Sequence, residues 1–194
     1  MMPLLSLVNK IMTMDVLIGK QPIMITLDLD PFLFDTLHRV QDAGFSVVEI
    51  NTDDPSILGQ VINDFPRLRI GAGNIISTQQ LEACYKAKVD FITSPGLLPT
   101  LLQTAAVYSI NYLPGVFTLS EAMQANAMGA QQVRPFPADL SFCARLSKSM
   151  PLLRLFPAEI EWEEVDHYLN LPSVSAVSML NPDNLHGPVD GVVR

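Results

Sequence analysis

The chain has 194 residues, enough for one domain with a self-sufficient core, and its 48% hydrophobic content against 16% charged calls for burial on more than one face. Its net charge of −8 argues against a nucleic-acid binder, whose phosphates need a basic patch. No apolar run is as long as a helical membrane span, and "MMPLLSLV" at the start is too short for a signal peptide, so a soluble, cytosolic protein is expected.

The predicted elements alternate strand and helix, with a repeat of roughly twenty residues. Strands are expected at 22–27, 46–51, 67–73, 90–96, 110–116, 131–137, 151–157 and 173–180. Amphipathic helices lie between them, for example at 31–44 and 77–88. Asp54 before Pro55 has the form of an N-cap with proline at the first helical position, and Ser77 and Asp139 are expected caps too. Gly44 and Gly129 stand where helices should stop. Eight such repeats without a linker predict an α/β protein of the (β/α)8 barrel type, filling 1–194 as a single domain. An open doubly wound sheet is the alternative. After the last strand only "NPDNLHGPVDGVVR" remains, so an irregular tail over 181–194 is expected in place of an eighth helix. The first nine or so residues are expected to form a short helix across the bottom of the barrel.

In a barrel of this kind the chemistry lies at the C-terminal ends of the strands. Glu49 is on the second strand, on the same face as Val47 and Asn51. The third strand ends "GAGN", the fourth "TSPG", the fifth "LPG", and the sixth and seventh "FPAD" and "FPAE". In that order, "VVEIN", "IGAGNI", "FITSPGL", "LPGVFTLSEAM" and "VRPFPAD" resemble the 2-keto-3-deoxy-6-phosphogluconate / 2-keto-4-hydroxyglutarate (KDPG/KHG) aldolase family over roughly residues 18 to 180. The resemblance implies a class I aldolase fold, usually a homotrimer. It also implies a Schiff-base lysine on strand six, a proton-moving glutamate on strand two, and a phosphate held by glycine-rich ends of strands seven and eight. A small 2-keto acid such as pyruvate is the ligand it implies.

Carried over residue by residue, Glu49 matches the family glutamate, and Ser94, Pro95, Gly96 and Pro114 match the substrate-side loops. The family lysine position holds Arg134. A Schiff base needs an amine that can lose its proton, and a guanidinium stays protonated. None of the five lysines (Lys10, Lys20, Lys86, Lys88, Lys148) is expected at a strand end. Pro135 removes a ladder donor and is expected to disturb strand six. Asn74 stands where the family has threonine, and Pro157-Ala158-Glu159-Ile160 and Ser178-Met179-Leu180 replace the phosphate-binding glycines. The resemblance thus implies a degenerate aldolase site. Glu49 reads either as a general acid–base or as a buried partner of Arg134, and Arg134 either as that partner or as a carboxylate anchor. Asn74 either donates to a ligand or ties its turn. Arg154 reads as structural, and Asp53 and Asp54 as helix capping. The histidines lack metal-ligand spacing, so no metal and no cofactor is expected, and Cys84 and Cys143 read as buried free thiols.

Overall fold

The computed structural model describes residues 21–185 together with Met14 and Ile18. The expectations for the first nine residues and for 186–194 lie outside the described residues. In chain order the elements are β1 (Ile23–Asp28), α1 (Leu33–Asp42), β2 (Val47–Asn51), α2 (Pro55–Asp64), β3 (Arg69–Ala72), α3 (Thr78–Ala87), β4 (Phe91–Thr93) and α4 (Pro99–Tyr108). They continue with β5 (Asn111–Leu113), β6 (Gly115–Val116), α5 (Leu119–Ala127), β7 (Gln132–Pro135), α6 (Leu140–Ser149) and β8 (Arg154–Leu155). A 3-10 turn (Trp162–Glu164), α7 (Val165–Leu169) and β9 (Val177–Leu180) complete the series. No described helix is long and apolar enough to cross a membrane.

The fold is α/β, and every strand pairing is parallel. Six strands form one sheet in the order β5-β4-β3-β2-β1-β9, and three form another in the order β6-β7-β8. Only Pro114 separates β5 from β6, because proline has no N–H to continue the ladder. At the other edge Ser178 N–H donates to Pro157 O (2.9 Å), and Leu155 bridges Val174.

Pro135 is the last residue of its strand, and the donor it lacks interrupts the ladder on the β8 side only. The Arg134 and Phe136 amides donate to Pro114 O (2.9 Å) and Val116 O (3.0 Å), and Pro135's own carbonyl accepts from Ala158 N–H (3.2 Å). The missing donor falls on an alternate position, so the β6 side of the ladder is intact.

The predicted caps form. Asp54 accepts from the Ser56 and Ile57 amides, Ser77 from Gln80 and Asp139 from Phe142. Asp54, not Asp53, is the residue that caps. Gly44 and Gly129 adopt φ of +89° and +98°, a backbone that glycine enters without a Cβ penalty.

Alternate residues of each strand meet different neighbours. Ile23, Ile25 and Leu27 of β1 belong to one large cluster with Leu33 and Leu37 of α1. Met24 belongs to a second, inner cluster with Val47, Phe91, Leu113, Phe156 and Ala176, joined by Met14 and Ile18. Each such burial contributes about 1.5–3 kcal/mol. Gly71 is needed here: a Cβ on it would run into the Phe91 ring.

Cys84 and Cys143 are free and buried. Burial pushes both thiols up from 9.0 to about 12, with the nearby Asp53 and Asp139 carboxylates adding to the rise at Cys84 and Cys143 respectively. The unfolded chain therefore releases protons between about pH 9 and 12 that the folded chain keeps, and stability falls as pH rises through that window. A lower urea midpoint at about pH 10.5 than at about pH 8 is the expected outcome. At neutral pH both thiols should resist a disulfide reagent until the chain is unfolded.

Candidate functional site

Three inward-facing side chains meet above the inner apolar cluster. Glu49 lies two residues beyond Val47 on β2, Thr93 two beyond Phe91 on β4, and Arg134 next to the outward-packed Val133 on β7. Arg134 Nη1 donates to Glu49 Oε1 (2.8 Å), Glu49 Oε2 (3.0 Å) and Thr93 Oγ1 (2.6 Å). Glu49 and Thr93 are fully buried and Arg134 is 6% exposed. The guanidinium carbon is 5.5 Å from the centroid of the Phe136 ring, within cation–π range.

The surroundings fix the carboxylate. Gly71 is the cross-strand partner of Glu49. A Cβ on Gly73 would collide with Glu49 Oε1 and Asn51 Oδ1, so the last glycine of "GAG" makes room for this chain's own side chains. Asn51 Nδ2 donates to Asp28 Oδ1 (2.7 Å), and Asn181 Nδ2 donates to Asp28 Oδ2 (2.8 Å). Asp28 N–H returns a bond to Asn181 Oδ1 (2.9 Å). This clasp ties the ends of β2, β1 and β9.

Of the substrate-side residues expected from the sequence, Pro114 bonds the Arg134 backbone, its carbonyl accepting from Arg134 N–H (2.9 Å). Ser94 Oγ bonds Gly96 O and Tyr112 OH, both at 2.6 Å. Burial pushes the Tyr112 phenol up to about 12, with the Ser94 bond pulling the other way. Gly115 packs on this loop, since a Cβ there would strike the Pro95 backbone. Asn74 is exposed and left-handed (φ +59°), a conformation asparagine tolerates. Among the described lysines, Lys86 and Lys148 lie in helices and Lys88 caps α3.

Thr93 is the participant the sequence reading lacks. Its signal is the alternation with Phe91, which turns it inward immediately before the "SPG" loop. The end of β8 differs in character. There Glu159, Glu161, Glu163 and Asp183 line a cavity of about 350 Å3 together with Trp162. Glu159 is left-handed (φ +59°), and Trp162 Nε1 donates to Asn184 O (2.9 Å).

Parallel strands alternating with helices, with a glutamate and a cation facing each other across their inner face, define an α/β barrel-like class of protein. The chain belongs to the KDPG and KHG aldolase family, whose model matches residues 22–183. It is similar to the 2-dehydro-3-deoxy-phosphogluconate aldolase of Pseudomonas aeruginosa, 27% identical over 161 residues that span 79% of this chain and 73% of that protein. A 2-dehydro-3-deoxy-6-phosphogalactonate aldolase of Escherichia coli is 29% identical over 155 residues, 78% of this chain and 68% of that one. Among solved structures, a KDPG aldolase from Legionella pneumophila, with pyruvate captured at low pH as a covalent carbinolamine intermediate, superposes with a TM-score of 0.79. It is 25% identical, and the match covers 85% of each chain.

Arg134→Ala should lower stability by about 3–5 kcal/mol, because it leaves a buried carboxylate without its counter-charge. Glu49→Leu combined with Arg134→Met should recover most of that loss. Gly73→Ala should cost about 1–3 kcal/mol through overpacking against the carboxylate. Urea denaturation of these variants beside the parent chain measures all three effects.

Proposed function

We propose that this chain is a KDPG/KHG-family protein without class I aldolase chemistry, and that it binds a small, unphosphorylated 2-keto acid such as pyruvate. The observation that carries the reading is the bond set of Arg134. At the position where family resemblance puts the Schiff-base lysine there is a guanidinium, committed to Glu49 and Thr93. A guanidinium stays protonated at physiological pH and offers no nucleophilic amine.

The preference for an unphosphorylated ligand follows from charge. Where the family holds phosphate, four carboxylates line the cavity at the end of β8. They repel a phosphate, and the overall charge of −8 adds to the barrier. The substrate-side residues Asn74, Ser94, Pro95, Gly96 and Pro114 would form the wall of the mouth. A lyase with Glu49 as acid–base and Arg134 as anchor is the second reading. It needs a carboxylate free to move protons, whereas both oxygens of Glu49 accept bonds from Arg134. Binding is therefore the better-supported reading.

The architecture that goes with this reading is a closed (β/α)8 barrel without its eighth helix, a single domain that assembles as a homotrimer in the cytosol. Support for closure comes from the direct continuation of β5 into β6 and from the bonds joining the β8 end to β9.

Borohydride trapping with pyruvate, read by intact mass, tests the function. The parent chain should gain no mass, while Arg134→Lys should gain one reduced pyruvate adduct. An adduct on the parent chain would overturn the reading.

A further inference from the structure

Among the described residues, the Arg134 side chain makes its three hydrogen bonds through Nη1. Its Nε is buried and has no hydrogen-bond partner among the described residues. The Nε–Nη2 edge of a guanidinium is a fork that matches a carboxylate with two parallel bonds. In this protein the Nε of that edge meets no acceptor among the described residues, although the residue is only 6% exposed. Leaving a charged donor unpaired in the interior costs more than leaving a neutral one.

Two more polar atoms share this condition. Thr26 Oγ1 and Ser178 Oγ are buried without a hydrogen-bond partner among the described residues. Thr26 is 2% exposed and Ser178 fully buried. Their backbones are satisfied: Thr26 O accepts from Asn181 N–H, while Ser178 N–H donates to Pro157 O and Ser178 O accepts from Ile160 N–H. Only the hydroxyls are left over.

Strand register brings these groups into one layer. Thr26 is the cross-strand partner of Glu49, whose carboxylate holds Arg134. Ser178 is the partner of Met24, two residues from Thr26 on the same face of β1. Met24 and Ala176 belong to the inner cluster, so Thr26 and Ser178, each two residues farther along, face the interior. The layer has an apolar floor containing Phe91 and Phe156, and half-buried Asn51 and Phe136 stand beside the pair.

We infer that the Nε edge of Arg134, Thr26 Oγ1 and Ser178 Oγ bind the carboxylate of a small keto acid on the β1 and β9 side of the interior. The inference rests on the reading that the chain binds such an acid without a Schiff base. It assigns Thr26 and Ser178 as ligand-binding residues. The Nη1 bonds to Glu49 and Thr93 aim the guanidinium, and the two hydroxyls donate to the carboxylate. The apolar floor takes the methyl end of the acid.

Calorimetric titration with sodium pyruvate tests this on the parent chain, Thr26→Val and Ser178→Ala. The parent chain should bind, and each variant should bind about tenfold more weakly, the loss expected for one hydrogen bond to a charged group. Neither variant should lower the thermal midpoint, because each removes a hydroxyl that has no partner among the described residues. Pyruvamide, which lacks the carboxylate charge, should bind none of the three. No binding of pyruvate to the parent chain, or parent-like affinity in both variants, would overturn the assignment. No binding to the parent chain would remove the binding reading together with this site, whereas parent-like affinity in both variants, with binding intact, would remove the site alone.

Discussion

A buried charge pair organises the interior of this protein. Arg134 crosses from β7 to meet Glu49 on β2, with Thr93 of β4 as a third partner. Neither charge could be buried alone, since desolvation of an isolated ion is prohibitive. The surrounding residues serve this pair. Gly73 leaves room for the carboxylate, Pro114 holds the Arg134 backbone, and Phe136 offers its ring to the guanidinium. An arginine can stand on this inward-facing strand position because its partner comes from the opposite part of the sheet system.

The pair also separates two layers of unlike chemistry. Below it, the inner cluster of Met24, Val47, Phe91, Leu113, Phe156 and Ala176 is apolar, and Met14 and Ile18 complete it. At its own level the inward positions are polar: Thr26, Glu49, Thr93, Arg134 and Ser178. One strand thus passes from core filler to polar surface in two residues. That change marks the boundary between the part of the interior that holds the fold together and the part that we propose receives a small molecule.

Much of the fold is legible in the sequence, because the strand–helix rhythm and the caps at Asp54, Ser77 and Asp139 depend on local chemistry. Strand lengths are less so. The window at 173–180 contains a strand only from Val177, and the window at 151–157 shrinks to Arg154–Leu155 between two prolines. Pairing partners decide where a ladder ends, and a single strand's residues do not carry them. For the site, Glu49 and Arg134 can be singled out because a charge in an apolar run is conspicuous. Thr93, Thr26 and Ser178 are small and neutral, and only their register beside the pair distinguishes them from ordinary strand residues.

Gly71 and Phe91 occupy what is in effect one volume, since the ring lies where a side chain on Gly71 would begin. Neither position can change independently. A larger residue at 71 requires a smaller one at 91, and a smaller residue at 91 opens a void that 71 is placed to fill. The floor of the interior can therefore drift only by paired exchange, with every intermediate step either overpacked or hollow. A lineage of such proteins would explore new ligand shapes first in the polar layer above, where single substitutions leave the floor unaltered.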